Sequence, residues 1–185
     1  MKLFELVKKQ YSDVIEVGDS VQLDPVSLTH VVGALQQYAL TECERDAVGE
    51  AFETFIGPSL KGPQGQFFTP RNVVKMVVDM VDPQPDEKII DPACGSGGFL
   101  VEALRHVWRT VEERGKSLAW PDIEIHSEKQ KVAIDKFRGI DKDAFLSKVA
   151  KSYMAILGDG RGGVFCENSL DKPRNWDRSE ERRVG

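Results

Sequence analysis

Apolar residues along the chain recur first at helical spacing, then in short uninterrupted runs that alternate with helical stretches. Leu3, Phe4, Leu6, Val7 and Tyr11 share one face of a short amphipathic helix. Asp24-Pro25 reads as a helix start, and Val26, Leu28, Val31, Val32, Leu35 and Tyr38 carry that helix to about Leu40. Ala47, Val48, Ala51, Phe52 and Phe55 predict a third helix from Asp46 to Phe55. Gly57-Pro58, Gly62-Pro63 and Gly65 then make a loop rich in breakers. Thr69-Pro70 opens a strongly apolar helix ending near Val81, with Thr69 expected as its N-cap and Pro70 in its first turn.

Beyond Val81 the pattern changes to short strands and longer helices. Lys88-Ile89-Ile90-Asp91 is a short apolar run ending in an acid, and Phe99 to Val111 is a helix with a charged end at Glu112–Lys116, where Gly115 is the expected C-cap. Ile123-Glu124-Ile125-His126 alternates like a strand, while Glu128–Phe137 has helical spacing. The second strand is therefore either Ile123–Ser127 or Phe137–Asp141. The helix Ala144–Leu157 follows Asp141 directly, which favours the later choice. Gly158–Gly163 is a glycine-rich turn, Gly163–Glu167 a short strand, and Asp171–Gly185 a polar, charged stretch read as a solvated tail. The expected class is α/β: a helical N-terminal region over residues 1–62, then an incomplete Rossmann-like sheet over residues 63–185.

Between the first strand and its helix lies Pro92-Ala93-Cys94-Gly95-Ser96-Gly97-Gly98. Residues without a Cβ let backbone approach a ligand closely, and the open start of the next helix suits an anionic group. A dinucleotide fingerprint counted from Gly95 puts Leu100 at the third small position and fails, and no Lys-Ser/Thr pair follows the glycines as a P-loop requires. What remains is a small-residue cradle preceded by Asp91. It suits a ligand with a carboxylate for the helix start and an ammonium for the acid, as at the amino-acid end of S-adenosylmethionine.

Composition narrows the class further. The chain has 185 residues, 41% hydrophobic and 30% charged, which is ordinary for a globular protein. No run of eighteen apolar residues and no signal-peptide core is present, so the expectation is a cytoplasmic protein without a membrane span. Cys43, Cys94 and Cys166 lack Cys-x-x-Cys spacing, and neither a metal nor disulfides are expected. His106 has no partner at ligand spacing and reads as an exposed or packing histidine. A formal net charge of −5 is wrong for a stand-alone DNA binder, so any affinity for DNA has to be local or come from partners.

DPACGSGGFL, Asp91–Leu100, resembles the cofactor motif of DNA adenine-N6 methyltransferases in the form used by modification subunits of type I restriction–modification systems. GQFFTPRNVV, Gly65–Val74, resembles the upstream motif of the same family, in the expected order. The resemblance spans roughly Asp46 to Leu170 and implies S-adenosylmethionine as cofactor. It implies contacts to the methionine end from Gln66, Phe67, Phe68, Thr69, Pro70 and Arg71, where an aromatic face near a sulfonium is favourable. It places Asp91, Ala93, Gly95, Ser96, Gly97, Gly98 and Phe99 in the cradle. Asp141 matches the ribose-binding acid, with Glu124 or Glu128 as rivals if the earlier strand is correct. Asn168, with Ser169 beside it, stands where family members commonly place an Asp against adenine; an amide still accepts from the adenine amino group.

The family's Asn/Asp-Pro-Pro-Phe/Tyr motif, which receives the flipped target base, has no counterpart in these residues. The expectation is thus a cofactor-holding piece of a modification subunit, inactive alone, with no catalytic residue of its own. DNA and the specificity and restriction subunits of the same system are the implied partners. An exposed sheet edge also predicts self-association. Two other readings stand beside this one: a methyltransferase-like domain with a non-DNA substrate, and a non-enzymatic assembly module that docks a specificity subunit.

Overall fold

The computed structural model describes residues 2–12, 14–38, 51, 54, 68–158 and 160–171. The chain divides into two compact units, residues 1–47 and 48–185. In the first, α1 (Lys2–Gln10) and α2 (Pro25–Leu35) form where the apolar spacing puts them. The Asp24 carboxylate accepts the N–H groups of Val26 and Ser27, both at 3.0 Å, and so caps α2. Hydrogen bonds from Ser27 hold the Asp24 carboxyl below its ordinary range. The helix expected over Asp46 to Phe55 lies outside the described residues apart from Ala51 and Thr54.

The second unit runs α3 (Arg71–Val81), β1 (Ile89–Asp91), α4 (Gly98–Ser117), α5 (Asp122–Lys136), β2 (Phe137–Asp141), α6 (Ala144–Gly158), a 3-10 turn (Gly160–Gly163) and β3 (Val164–Cys166). The three strands are parallel in the order β1-β2-β3, so the sheet is α/β as expected. Ile89 pairs with Phe137 and Asp91 with Gly139, while Asp141 pairs with Cys166. The carboxyl ends of all three strands therefore lie side by side.

Packing explains the register. Phe137 and Ile140 of β2 are buried together with Leu100, Leu104 and Val107 of α4 and Tyr153 and Met154 of α6. Each such aliphatic side chain contributes roughly 1.5–3 kcal/mol by leaving water. Gly139 is required at the centre of this layer. A Cβ there would stand 2.5 Å from Leu100 Cδ1 and 3.1 Å from Cys94 Sγ, so the glycine lets β2 lie close under the loop and α4.

Three local expectations are corrected. Thr69 does not cap α3: Pro70 occupies the cap position, with φ −54° and ψ 136°, and no side-chain cap bond is made. The proline's fixed φ sets the entry and biases Thr69 to extended backbone outside the helix. Gly115 is not a C-cap but a buried helical residue beside Ile125 and Trp120. α4 runs on to Ser117, and the left-handed turn after it falls on Ala119, at φ 55°. Ile123–Ser127 is the first part of α5 rather than a strand. Ile125, Val132 and Ala133 are buried while Ile123 is 80% exposed, a helical face that happens to alternate over four residues.

His106 is a packing histidine with polar neighbours. From α4 its Nε2 lies 2.8 Å from Asp82 Oδ1 and its Nδ1 3.6 Å from Asp79 Oδ1, tying the end of α3 to α4. Asp82 ends α3 in the left-handed conformation, with φ 48°. No helix among the described residues is long and apolar enough to cross a membrane.

Candidate functional site

β1 ends at Asp91 and α4 starts at Gly98, so six residues must turn the chain from sheet to helix. Two of them do this with left-handed backbone: Gly95 at φ 54° and Gly97 at φ 90°. Gly97 also sits against α6, since a Cβ there would come within 3.3 Å of Ala150 Cβ. This loop and the start of α3 enclose a cavity of about 190 Å³. Phe68, Thr69 and Arg71 line it on one side and Asp91, Ala93, Gly95, Ser96, Gly98 and Phe99 on the other, so most of the two sequence motifs meet in one space.

Of the described residues, the remaining expected ones are not among those lining this cavity. Pro70 sets the start of α3, and Gly97 is buried beneath the loop. Asp141, at the end of β2, is joined to the loop through Gly95, whose N–H donates to Asp141 Oδ2 at 2.9 Å. Asn168 follows β3, and its Oδ1 accepts the Leu170 N–H at 3.2 Å; Ser169 lies in that turn. The Glu167 N–H donates to the Asp141 carbonyl at 3.0 Å, which brings the segment to the same end of the sheet. Gln66 and Phe67 lie outside the described residues. Glu124 is exposed on α5 and Glu128 lies on the same helix, so the acid at the end of the second strand is Asp141.

Val74 and Cys94 also line the cavity; both lie inside the two motifs, but the resemblance names neither as a cofactor contact. Val74 was legible only as one of several apolar positions of α3. The Cys94 thiol is pushed up to about 12, first by burial and then by the carboxylates of Asp91 and Asp141. It is inert as a nucleophile at neutral pH and serves as packing beneath the loop.

Charge in the site is unevenly compensated. Burial raises the Asp91 carboxyl above its ordinary range, and Asp141 adds repulsion, while the Ala93 N–H opposes both by donating to Oδ1 at 3.1 Å. A half-buried carboxylate held this way favours a cationic neighbour. On the same side of the cavity α4 opens with the N–H groups of its first turn, which have no acceptor within the helix and suit a carboxylate. Together the acid and the helix start can receive a zwitterion. Among the described residues no cluster of acids, histidines and cysteines has the arrangement of a metal site.

The chain is similar to known proteins of one family. The N-6 DNA methylase family model matches residues 43–180. The methylase subunit of the type I restriction enzyme EcoEI from Escherichia coli is 35% identical over 93% of this chain, which covers 33% of that subunit. The MjaVII methylase subunit from Methanocaldococcus jannaschii is 34% identical over 43% of this chain and 14% of its own length. A modification subunit ascribed to a type I restriction enzyme of Vibrio vulnificus shares 26% identity at a TM-score of 0.44, over 82% of this chain and 26% of that one. The chain thus spans a third or less of these relatives. With the glycine cradle, the parallel strand ends and a match over most of its residues, the chain belongs to the N-6 DNA methylase family, among relatives that are methylase subunits of type I restriction enzymes.

Proposed function

We propose that the chain is the S-adenosylmethionine-binding portion of a type I restriction–modification subunit that methylates adenine N6 in DNA. The observation that carries this reading is the β1–α4 loop. Its two left-handed glycines open a cavity lined by both a half-buried acid and an open helix start. The amino-acid end of the cofactor carries one charge complementary to each of these two features. Asp91 would face the ammonium, and the first turn of α4 would face the carboxylate. Phe68, Thr69 and Arg71 would enclose the methionine end, with Gln66, Phe67 and Pro70 from the same motif. Asp141 would accept the ribose hydroxyls, and Asn168 with Ser169 would meet the adenine edge.

When bound, the cofactor supplies an activated methyl group to the attacking amine. The residues described here contribute binding and orientation rather than a covalent nucleophile, consistent with the inert Cys94 thiol. DNA and the specificity and restriction subunits are the partners this reading implies, in the cytoplasm. Calorimetric titration of the whole chain with S-adenosylmethionine tests it, beside Gly97→Val. Saturable binding that Gly97→Val abolishes is the expected result. Silence in the parent chain, while the fold remains intact by circular dichroism, would remove the cofactor reading and leave an assembly role.

A further inference from the structure

The acid at the end of β2 is already engaged within the protein. Its Oδ2 accepts the Gly95 N–H at 2.9 Å, across 46 positions of sequence, and its Oδ1 accepts the Asp143 N–H at 2.8 Å. Its own carbonyl takes the Glu167 N–H at 3.0 Å. The loop after β1, the start of α6 and the end of β3 therefore converge on one residue. Asp143 in turn caps α6, accepting the N–H groups of Phe145 and Leu146 at 2.9 and 3.0 Å.

We propose that Asp141 is a positioning residue that sets the cofactor loop before any ligand arrives, in addition to the ribose contact. Three of the loop's other N–H groups support this. Ala93 donates to Asp91 Oδ1, Cys94 to the Ile140 carbonyl and Gly97 to the Cys94 carbonyl. With Gly95 on Asp141, each of these four donors has an acceptor inside the protein, and the left-handed turn at Gly95 is held without a ligand. Each carboxylate oxygen has room for two hydrogen bonds, so each keeps capacity for one more, as from a hydroxyl. Gly95 is thereby withdrawn from anion binding, which falls to the first turn of α4, Gly98 and Phe99. The bracing role stands without the cofactor reading; the ribose contact rests on it.

Amide hydrogen exchange on the ¹⁵N-labelled 185-residue chain, without ligand, tests the brace. In the parent the Gly95 amide exchanges slowly. In Asp141→Ala it exchanges about tenfold faster or more, as loss of a charge-assisted bond requires, and its proton resonance moves upfield. The Cys94 amide, bonded to a backbone carbonyl of β2, keeps its protection and serves as the internal control. Asp141→Asn leaves one acceptor oxygen for two donors, so protection returns at one of the Gly95 and Asp143 amides and not at both. Unchanged Gly95 exchange in Asp141→Ala would overturn the proposal. Equal acceleration at Cys94 would overturn it too, by showing that Asp141 merely holds the sheet end together. Titration of the parent with S-adenosylhomocysteine is read separately: absence of binding counts against the cofactor reading alone and leaves the brace untouched.

Discussion

Gly97 carries φ 90° and lies over Ala150, so a side chain there meets both backbone strain and a neighbour. Gly97→Ala is expected to destabilise the chain by about 1–3 kcal/mol and to abolish cofactor binding, measured by urea melts and calorimetry. Gly98→Ala is the contrast, because its nearest foreign atom is Arg71 Nη1 at 3.9 Å and its backbone is helical. Its stability should stay within about 0.5 kcal/mol of the parent. Asp91 gives a prediction with a definite sign. Its folded carboxyl binds protons more readily than the unfolded one, so the folded state holds more protons just above pH 3.8. Stability therefore falls as pH rises from about there through the raised value, and the full penalty is present at neutral pH. Asp91→Asn should make the ligand-free chain more resistant to urea at pH 7 and weaken binding of a cationic ligand. A chain equally stable with Asn at pH 7 would sink this account. At this scale the glycines and Asp91 were legible because adjacent residues sufficed to identify them. The Gly95–Asp141 bond was not, since it depends on a strand register that brings together residues 46 positions apart.

A close approach and an ionic cluster join α4 to α5, beside the bond that Trp108 Nε1–H donates to the Lys129 carbonyl at 2.8 Å. A Cβ on Gly115 would stand 2.6 Å from Ile125 Cγ1 and 2.9 Å from its Cδ1, and Ile125 is buried. Gly115→Ala should thus cost about 1–3 kcal/mol, although alanine in a helix interior is otherwise favoured by roughly 1 kcal/mol. A double-mutant cycle with Ile125→Ala should show the pair less harmful than the sum of its parts. Beside it, Glu112 Oε1 meets Lys116 Nζ at 2.6 Å and Oε2 meets Lys129 Nζ of α5 at 2.7 Å. Lys116 and Lys129 lower the Glu112 carboxyl to about 2. Its contribution is present above the ordinary value of 4.5 and lost as pH falls toward about 2. The Glu112 side chain is 39% exposed, so Glu112→Gln should cost roughly 0.2–1 kcal/mol at pH 7, with the difference gone near pH 2. Helix and strand identity was legible wherever the apolar face exceeded two turns, as in α3, α4 and α6. It failed over Ile123–Ser127, where four residues alternate by accident and the deciding partners, Val132 and Ala133, lie a further two turns on.

For the molecule as a whole, charge and motif content bear on what this chain can do by itself. The α/β class and the order of the two motifs were legible because each occupies a short run of sequence. Their meeting in one cavity follows from β1 and β2 lying side by side and from α3 packing on α4, which no local pattern encodes. That cavity is set by contacts within the second unit, so cofactor binding is predicted for the chain alone. DNA methylation is a different matter. An adenine taken out of the stack needs acceptors for its amino group and an aromatic face to lie on. The Pro-Pro-aromatic motif that the resemblance implies for that role does not occur in these 185 residues. The net charge of −5 also opposes retention on a polyanion at about 0.15 M salt, where binding depends on basic residues displacing counterions. Incubated with methyl-labelled cofactor and an adenine-containing duplex, the chain should bind cofactor and transfer no label. Transfer above background would show that the acceptor site can be built from the residues present, and the division into a cofactor-holding part and a base-holding part would have to be abandoned. Binding without transfer, joined to loss of binding in Gly97→Ala, would place the first half of the reaction in the loop between β1 and α4 and leave the second half to chemistry these residues do not carry.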